Sequence, residues 1–331
     1  MTDAAVLGPW IRRFLLEHLV GERNLSTNTQ KSYRDMLKQF LPFISERVAK
    51  PVDRLTVADL SAKLVRQFLT HLESKRRCGI STRNQRLGGI HALAAFIGEQ
   101  RPEYIAWAAE VRQVPFKKFT APVITCLDRA EINALLEVPD RSTPQGQREH
   151  ALLLFLYNSG ARASEAAQLT VADLDWYARS VQILGKGRKL RTCPLWPVTI
   201  KALRQLTTGR RSDERVFLNR LSQTLTRSGI HALVKRCAAR ARKTTPSIAT
   251  KTVGPHTIRH STASHLLRAG VDLNTIRAWL GHVSINTTNI YAEIDLDTKA
   301  LALNACIPTL TRSRRRSSRS QTALMDFLLG L

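Results

Sequence analysis

Six side chains of this 331-residue chain could together act on a phosphodiester: Arg162, Lys186, His256, Arg259, His282 and Tyr291, in chain order. A pentavalent phosphate transition state needs donors on its non-bridging oxygens, and Arg supplies them as a fixed, permanently charged fork. A departing sugar oxygen needs a proton, which a Lys on a hairpin can give. A tyrosine hydroxyl as nucleophile would leave a covalent phosphoester rather than a hydrolysed product. Taken singly, each has a plainer reading. Arg162 could simply pair with Glu165, one helical turn away. Gly185-Lys186-Gly187 makes an ordinary turn, and no Gly-x4-Gly-Lys-Ser/Thr phosphate loop surrounds it. His256 and His260 stand four apart like a zinc pair, but no Glu follows His256 and no third ligand is evident, so no metal is expected. Leu280-Gly281-His282 reads as a helix end, and Tyr291 as a core residue.

The charge balance narrows the partners. Lys and Arg total 51 against 26 Asp and Glu, a formal net charge of +25. Such a surplus points to polyanions, nucleic acid or an anionic membrane surface. The longest apolar run, residues 151–157, is far shorter than the roughly 20 residues a spanning helix needs. The first residues lack the basic and apolar regions of a signal peptide. The five cysteines show neither a Cys-x-x-Cys pair nor ligand spacing, which suits a reducing cytoplasm. The excess is also uneven: residues 1–110 carry a net +6 and the remainder +19. Residues 215–270 hold eleven Lys and Arg without one Asp or Glu, a pattern that favours a phosphate-tracking face.

The elements that must position these residues follow from periodicity. Apolar stripes predict helices near 10–20, 28–45, 60–74, from Ser81 onward, and 102–110. Ser26 is the expected cap of the second. Residues 113–122, with two prolines and two lysines and no periodicity, read as a linker. Beyond it, helices are expected at 128–137, 147–158, 197–207, 229–242, 256–268, 273–279 and 284–292. Strands are expected at 171–176, 180–184 and 189–195, the last two joined as a hairpin through Gly185–Arg188. The fold class is mainly α with a small antiparallel sheet: a helical N-terminal domain, then an α+β domain. After five arginines in 312–319 comes an apolar stripe, Ala323, Leu324, Phe327, Leu328 and Leu331.

At these residues the chain resembles the tyrosine recombinase (phage integrase) family. SGARASEAAQL, GKGRKLR, HTIRH, LGH and NIYAE match that family's boxes in order and spacing. NLSTNTQKSYRDMLKQFLPFI and STRNQRLGGIHAL look like its helical core-binding domain. The resemblance spans residues 10–306 and is nearest to two-domain members of the Xer-like and mobile-element type. It implies a core-type DNA-binding domain at 1–112, a linker at 113–122 and a catalytic domain at 123–311. A basic tether and apolar C-terminal helix would follow at 312–331.

The resemblance also implies roles. Tyr291 attacks the scissile phosphate and joins the DNA 3′ end, Arg162 and Arg259 clamp the phosphate oxygens, and His256 handles a proton nearby. His282 donates to a non-bridging oxygen, Lys186 protonates the leaving 5′ oxygen, and Glu165 orients Arg162 without reacting. His260 is structural, and Cys193, where the family often has an aliphatic residue, is packing. The energy stays in the tyrosyl ester, so no cofactor is implied. The implied partner is double-stranded DNA, bound by a homotetramer or a hetero-tetramer with a related recombinase, in a prokaryotic cytoplasm at the nucleoid and away from membrane. The tail would dock on the adjacent protomer. Two other readings stay open: a type IB topoisomerase-like enzyme that relaxes DNA, and a non-catalytic DNA-binding regulator on the same scaffold.

Overall fold

Side-chain caps begin two helices of the first half. Helix α2 (Thr27–Val48) starts where Ser26 Oγ accepts the Thr29 N–H, and α3 (Ala62–Ser74) where Ser61 Oγ accepts the Leu64 N–H. The computed structural model describes residues 6–118 and 125–281, and the chain divides into two units after Val123. The first unit also holds α1 (Leu7–Arg13), continued by a π-helical stretch Phe14–Glu22, then α4 (Ile80–Gln100) and α5 (Ile105–Arg112). Their apolar stripes meet in one core, with Phe14, Phe40 and Phe68 at its centre. Residues 113–118, expected as linker, lie on this unit. Val114 is buried in its core, and Lys117 bonds Glu73 through Nζ at 2.8 Å and Asn84 through its N–H at 3.1 Å. Helix α4 begins one residue before Ser81, with Gly79 as its cap.

The second unit starts with α6 (Arg129–Glu137), opened by a reciprocal capping box between Asp128 and Glu131. It continues through α7 (Pro144–Ser159), α8 (Ala163–Gln168), strands β1 (Leu174–Asp175), β2 (Ser180–Leu184) and β3 (Leu190–Pro194), then α9 (Pro197–Thr207). Helices α10 (Arg227–Ala241), α11 (Pro255–Arg268) and α12 (Leu273–Leu280) complete the described part. The three strands form one antiparallel sheet in sequence order. The result is the mainly helical α+β class expected, with its own core around Phe155, whose ring lies 5.5 Å from that of Phe217.

The strand expected at 171–176 is shorter. Residues Val171–Asp173 make a 3₁₀ turn, because Asp173 Oδ2 accepts from both the N–H and the hydroxyl of Thr170 at 2.8 Å. Only Leu174 and Asp175 remain to pair with Val181 and Ser180. The same tetrapeptide, Thr-Val-Ala-Asp, recurs at Thr56–Asp59 in the first unit and folds the same way. The expected helix at 284–292, the arginine-rich tether and the apolar tail lie outside the described residues.

Each unit having its own core gives a direct expectation. Phe155→Ala removes a fully buried ring from the second unit and should cost about 3–5 kcal/mol there. Urea unfolding followed by hydrogen exchange should show lowered protection in α7 and α9, with amides around Phe40 and Phe68 unchanged.

Candidate active site

Helix α7 ends at Gly160, whose left-handed backbone (φ +60°) turns the chain toward Arg162. A Cβ at Gly160 would come within 2.5 Å of the Leu280 side chain, so the glycine also permits close approach of the end of α12. Arg162 then stands at the N-cap of α8, and Glu165 folds back on it. One Glu165 oxygen accepts the Arg162 main-chain N–H at 2.9 Å, and the other accepts Arg162 Nη1 at 2.6 Å. Glu165 is almost wholly buried, with a 4% exposed side chain, and also accepts Arg191 Nη2 at 2.6 Å. Burial alone would raise its pKa. The Arg191 bond and charge, then the Arg162 bonds, outweigh that and hold the carboxyl below its ordinary range. Arg162 keeps one edge toward solvent.

Lys186 opens the turn between β2 and β3, which is closed by the Gly185 N–H donating to Lys189 O at 2.8 Å. Gly187 and Arg188 both take left-handed backbone there, with φ +75° and +59°. From β3, the inward-facing Arg191 and Cys193 pack beneath the site. Cys193 is fully buried, and its Sγ lies 3.4 Å from Trp279 O.

Helix α11 starts with Pro255 in its first turn and presents His256 there, its side chain reaching solvent on one side while the rest is crowded by neighbouring groups. Arg259, one turn on, is buried and bridges two helix ends. Its Nη1 donates to Gly160 O and its Nη2 to Leu280 O, each at 2.6 Å. The His256 pKa is pushed down by burial first, then by the charges of Arg259, His231, Arg162 and Arg227. Both the burial and the neighbouring cations disfavour the charged form of His256. His260 is driven lower, to about 4, by burial and then by His256 and Arg259.

The structure thus gathers Arg162, Glu165, His256 and Arg259 into one electropositive cluster, with the backbone of the Lys186 turn against it. His282 and Tyr291 lie outside the described residues. Two neighbours escaped the sequence reading. His231 on α10 sets its ring edge-on to that of His256, centroids 6.5 Å apart, and no spacing announced it. Arg191 could have been found, since it shares the inward phase of β3 with Cys193. Among the described residues, no group of three His, Cys, Asp or Glu could hold a metal ion.

Comparison with known proteins gives this arrangement its class. The phage integrase family model matches residues 125–297, and a phage integrase N-terminal SAM-like domain model matches residues 10–97. The integrase/recombinase y4rC of Sinorhizobium fredii is 36% identical, with 100% of both chains covered. A tyrosine recombinase XerC of Roseiflexus sp. is 32% identical over 85% of this chain and 88% of its own. Among solved structures, the fold is shared with the Tn1549 transposon integrase in complex with a circular intermediate DNA. That match has a TM-score of 0.66 and 16% identity over 88% of this chain and 98% of the other. It is shared too with the XerH site-specific recombinase bound to a difH substrate, at TM-score 0.64 and 22% identity over 86% and 81%.

These matches define a DNA strand-exchanging enzyme. The chain belongs to the phage integrase family of tyrosine recombinases.

The depressed pKa of His260 makes the fold around it sensitive to acid. An unfolded imidazole takes its proton near 6.5, whereas folded His260 resists until about 4. Over that window the unfolded chain binds more protons, so stability falls as pH drops from 6.5 toward 4. Thermal melts of the His260→Asn protein should show a shallower fall across this range. Parallel curves for the two proteins would remove His260 as a source of the acid sensitivity.

Proposed function

We propose that this chain cuts and rejoins double-stranded DNA through a covalent bond between Tyr291 and a 3′ phosphate, in the service of a mobile element. As the Tyr291 oxygen bonds to phosphorus, the bond from phosphorus to the 5′ oxygen breaks. Arg162 and Arg259 meet the charge on the non-bridging oxygens, and His282 adds a further donor there. His256 takes a proton, and Lys186 returns one to the leaving 5′ oxygen. A 5′ hydroxyl from another strand then attacks the tyrosyl ester, freeing Tyr291 and completing the exchange. The observation that carries this reading is the buried Glu165 carboxylate, which fixes Arg162 at a helix start with one edge still open. A guanidinium held in that way is prepared for an incoming phosphate oxygen.

The mobile-element role draws on likeness to y4rC along the full chain and on the fold shared with a transposon integrase. Four copies acting on paired sites would supply one Tyr291 for each of the four strands to be exchanged, with the apolar tail at 323–331 linking neighbours. The basic residues 215–270 supply the charge for phosphate contacts, without any Asp or Glu to repel the DNA.

A duplex nicked near the cleavage position traps the covalent intermediate. On it the native protein should form a protein–DNA adduct, while Tyr291→Phe should form none and still bind DNA. An adduct with the Phe protein would reassign the nucleophile.

Lys186→Ala should slow cleavage of ordinary DNA by about 10²–10⁴, the range for one proton-transfer group. A substrate with sulfur at the 5′ bridging position has a leaving group that needs no proton and should be spared. Equal slowing on both substrates would make Lys186 a binding residue.

A further inference from the structure

The Arg191 guanidinium sits where three separate pieces of the site meet. Its side chain is 8% exposed. Nη2 donates to Glu165 Oε2 at 2.6 Å, and Nε donates to the carbonyl of Trp279, in the last turn of α12, at 2.9 Å. Nη1 is buried and has no hydrogen-bond partner among the described residues. It lies between two glycines: a Cβ on Gly185 would stand 3.3 Å from it, and a Cβ on Gly281 would stand 3.1 Å from it. In sequence Gly185 leads into Lys186 and Gly281 into His282. Stability alone does not account for such a group, because a buried charge with an unpaired donor is no better for folding than a well-packed apolar residue.

We infer that Arg191 is a positioning residue for the strand-transfer reaction, locking Arg162, the Lys186 turn and the end of α12 into one register. The inference rests on the reaction proposed above. Through Glu165 it fixes the direction of the Arg162 guanidinium. Through the Trp279 carbonyl and its fit against Gly281 it fixes the point where α12 ends. A side chain at residue 185 would crowd its Nη1, so the glycine lets the hairpin come down onto Glu165, 3.5 Å from where a Gly185 Cβ would lie. Arg259 secures the same helix end from the other side, through Leu280 O. Lysine cannot replace this fork, since one ammonium cannot hold Glu165 and Trp279 O in the same plane.

The test measures single-turnover cleavage on the nicked duplex by full-length protein. Arg191→Lys keeps the charge beside Glu165 and should bind DNA within about threefold of the native protein. Its cleavage should fall by about 100-fold, as for catalytic groups displaced by an ångström. A duplex whose scissile phosphate is replaced by a neutral methylphosphonate asks less of Arg162, and on it the penalty should shrink below about tenfold. A role confined to holding the fold together would slow both substrates alike. Gly185→Ala provides a second probe if the lysine protein does not fold. The backbone there is extended (φ −92°) and accepts alanine, while the new Cβ presses on Nη1. It should slow cleavage about tenfold, again less on the methylphosphonate. Arg191→Lys cleaving within threefold of native, or equal slowing on both substrates, would overturn the inference while leaving the proposed reaction intact. Absence of any adduct with the native protein would instead overturn the proposed reaction, and the inference with it.

Discussion

A carboxylate with almost no access to water, held between two guanidiniums, organises the second unit. Glu165 could not be ionised there alone, and Arg162 and Arg191 supply the compensating charge at 2.6 Å each. The consequences are geometric. Because Glu165 lies one turn into α8 and accepts the N–H of its N-cap residue, Arg162, satisfying the acid also sets the direction in which α8 leaves Gly160. Because Arg191 comes from β3, the same charge docks the sheet against the helices. Arg259 repeats the device with backbone carbonyls, joining the end of α7 to the end of α12. Two buried arginines, Arg191 and Arg259, thus take the place of an apolar core where these elements meet.

How far the sequence foretold this depends on which physical signal each residue carries. Ser26 announced α2, and Asp128 stands at the start of α6, because an N-cap oxygen is a local solution to unpaired N–H groups. The helix expected from Ser81 onward begins at Ile80 instead, with the extended Gly79, two residues before Ser81, at its cap. The strand at 171–176 failed because Asp173 bonds back to Thr170, a local competitor to pairing that alternation of apolar residues does not reveal. For the site, Arg162, Lys186, His256 and Arg259 were legible as an ordered set. The partnership of Glu165 with Arg191, 26 positions apart, was not, since it depends on how β3 meets α8. His231 was hidden similarly, brought beside His256 by the packing of α10 near the start of α11.

The acid-free stretch 215–270 also packs as an ordered part of the fold, and two cations within it obtain counter-charge from outside. Arg236 on α10 pairs with Glu149 on α7, and Lys251, just before α11, pairs with Glu131 on α6, each at 2.6 Å. Both acids are buried and both cations are partly exposed. The inner face of a strongly basic segment is thereby neutralised while its outer face is not. Both acids also precede their partners in the chain by about a hundred residues. On the ribosome, where chains emerge from the N-terminus, α6 and α7 leave the tunnel before α10 and α11. The two acids that neutralise the inner face of the basic segment are therefore synthesised before the cations they pair with.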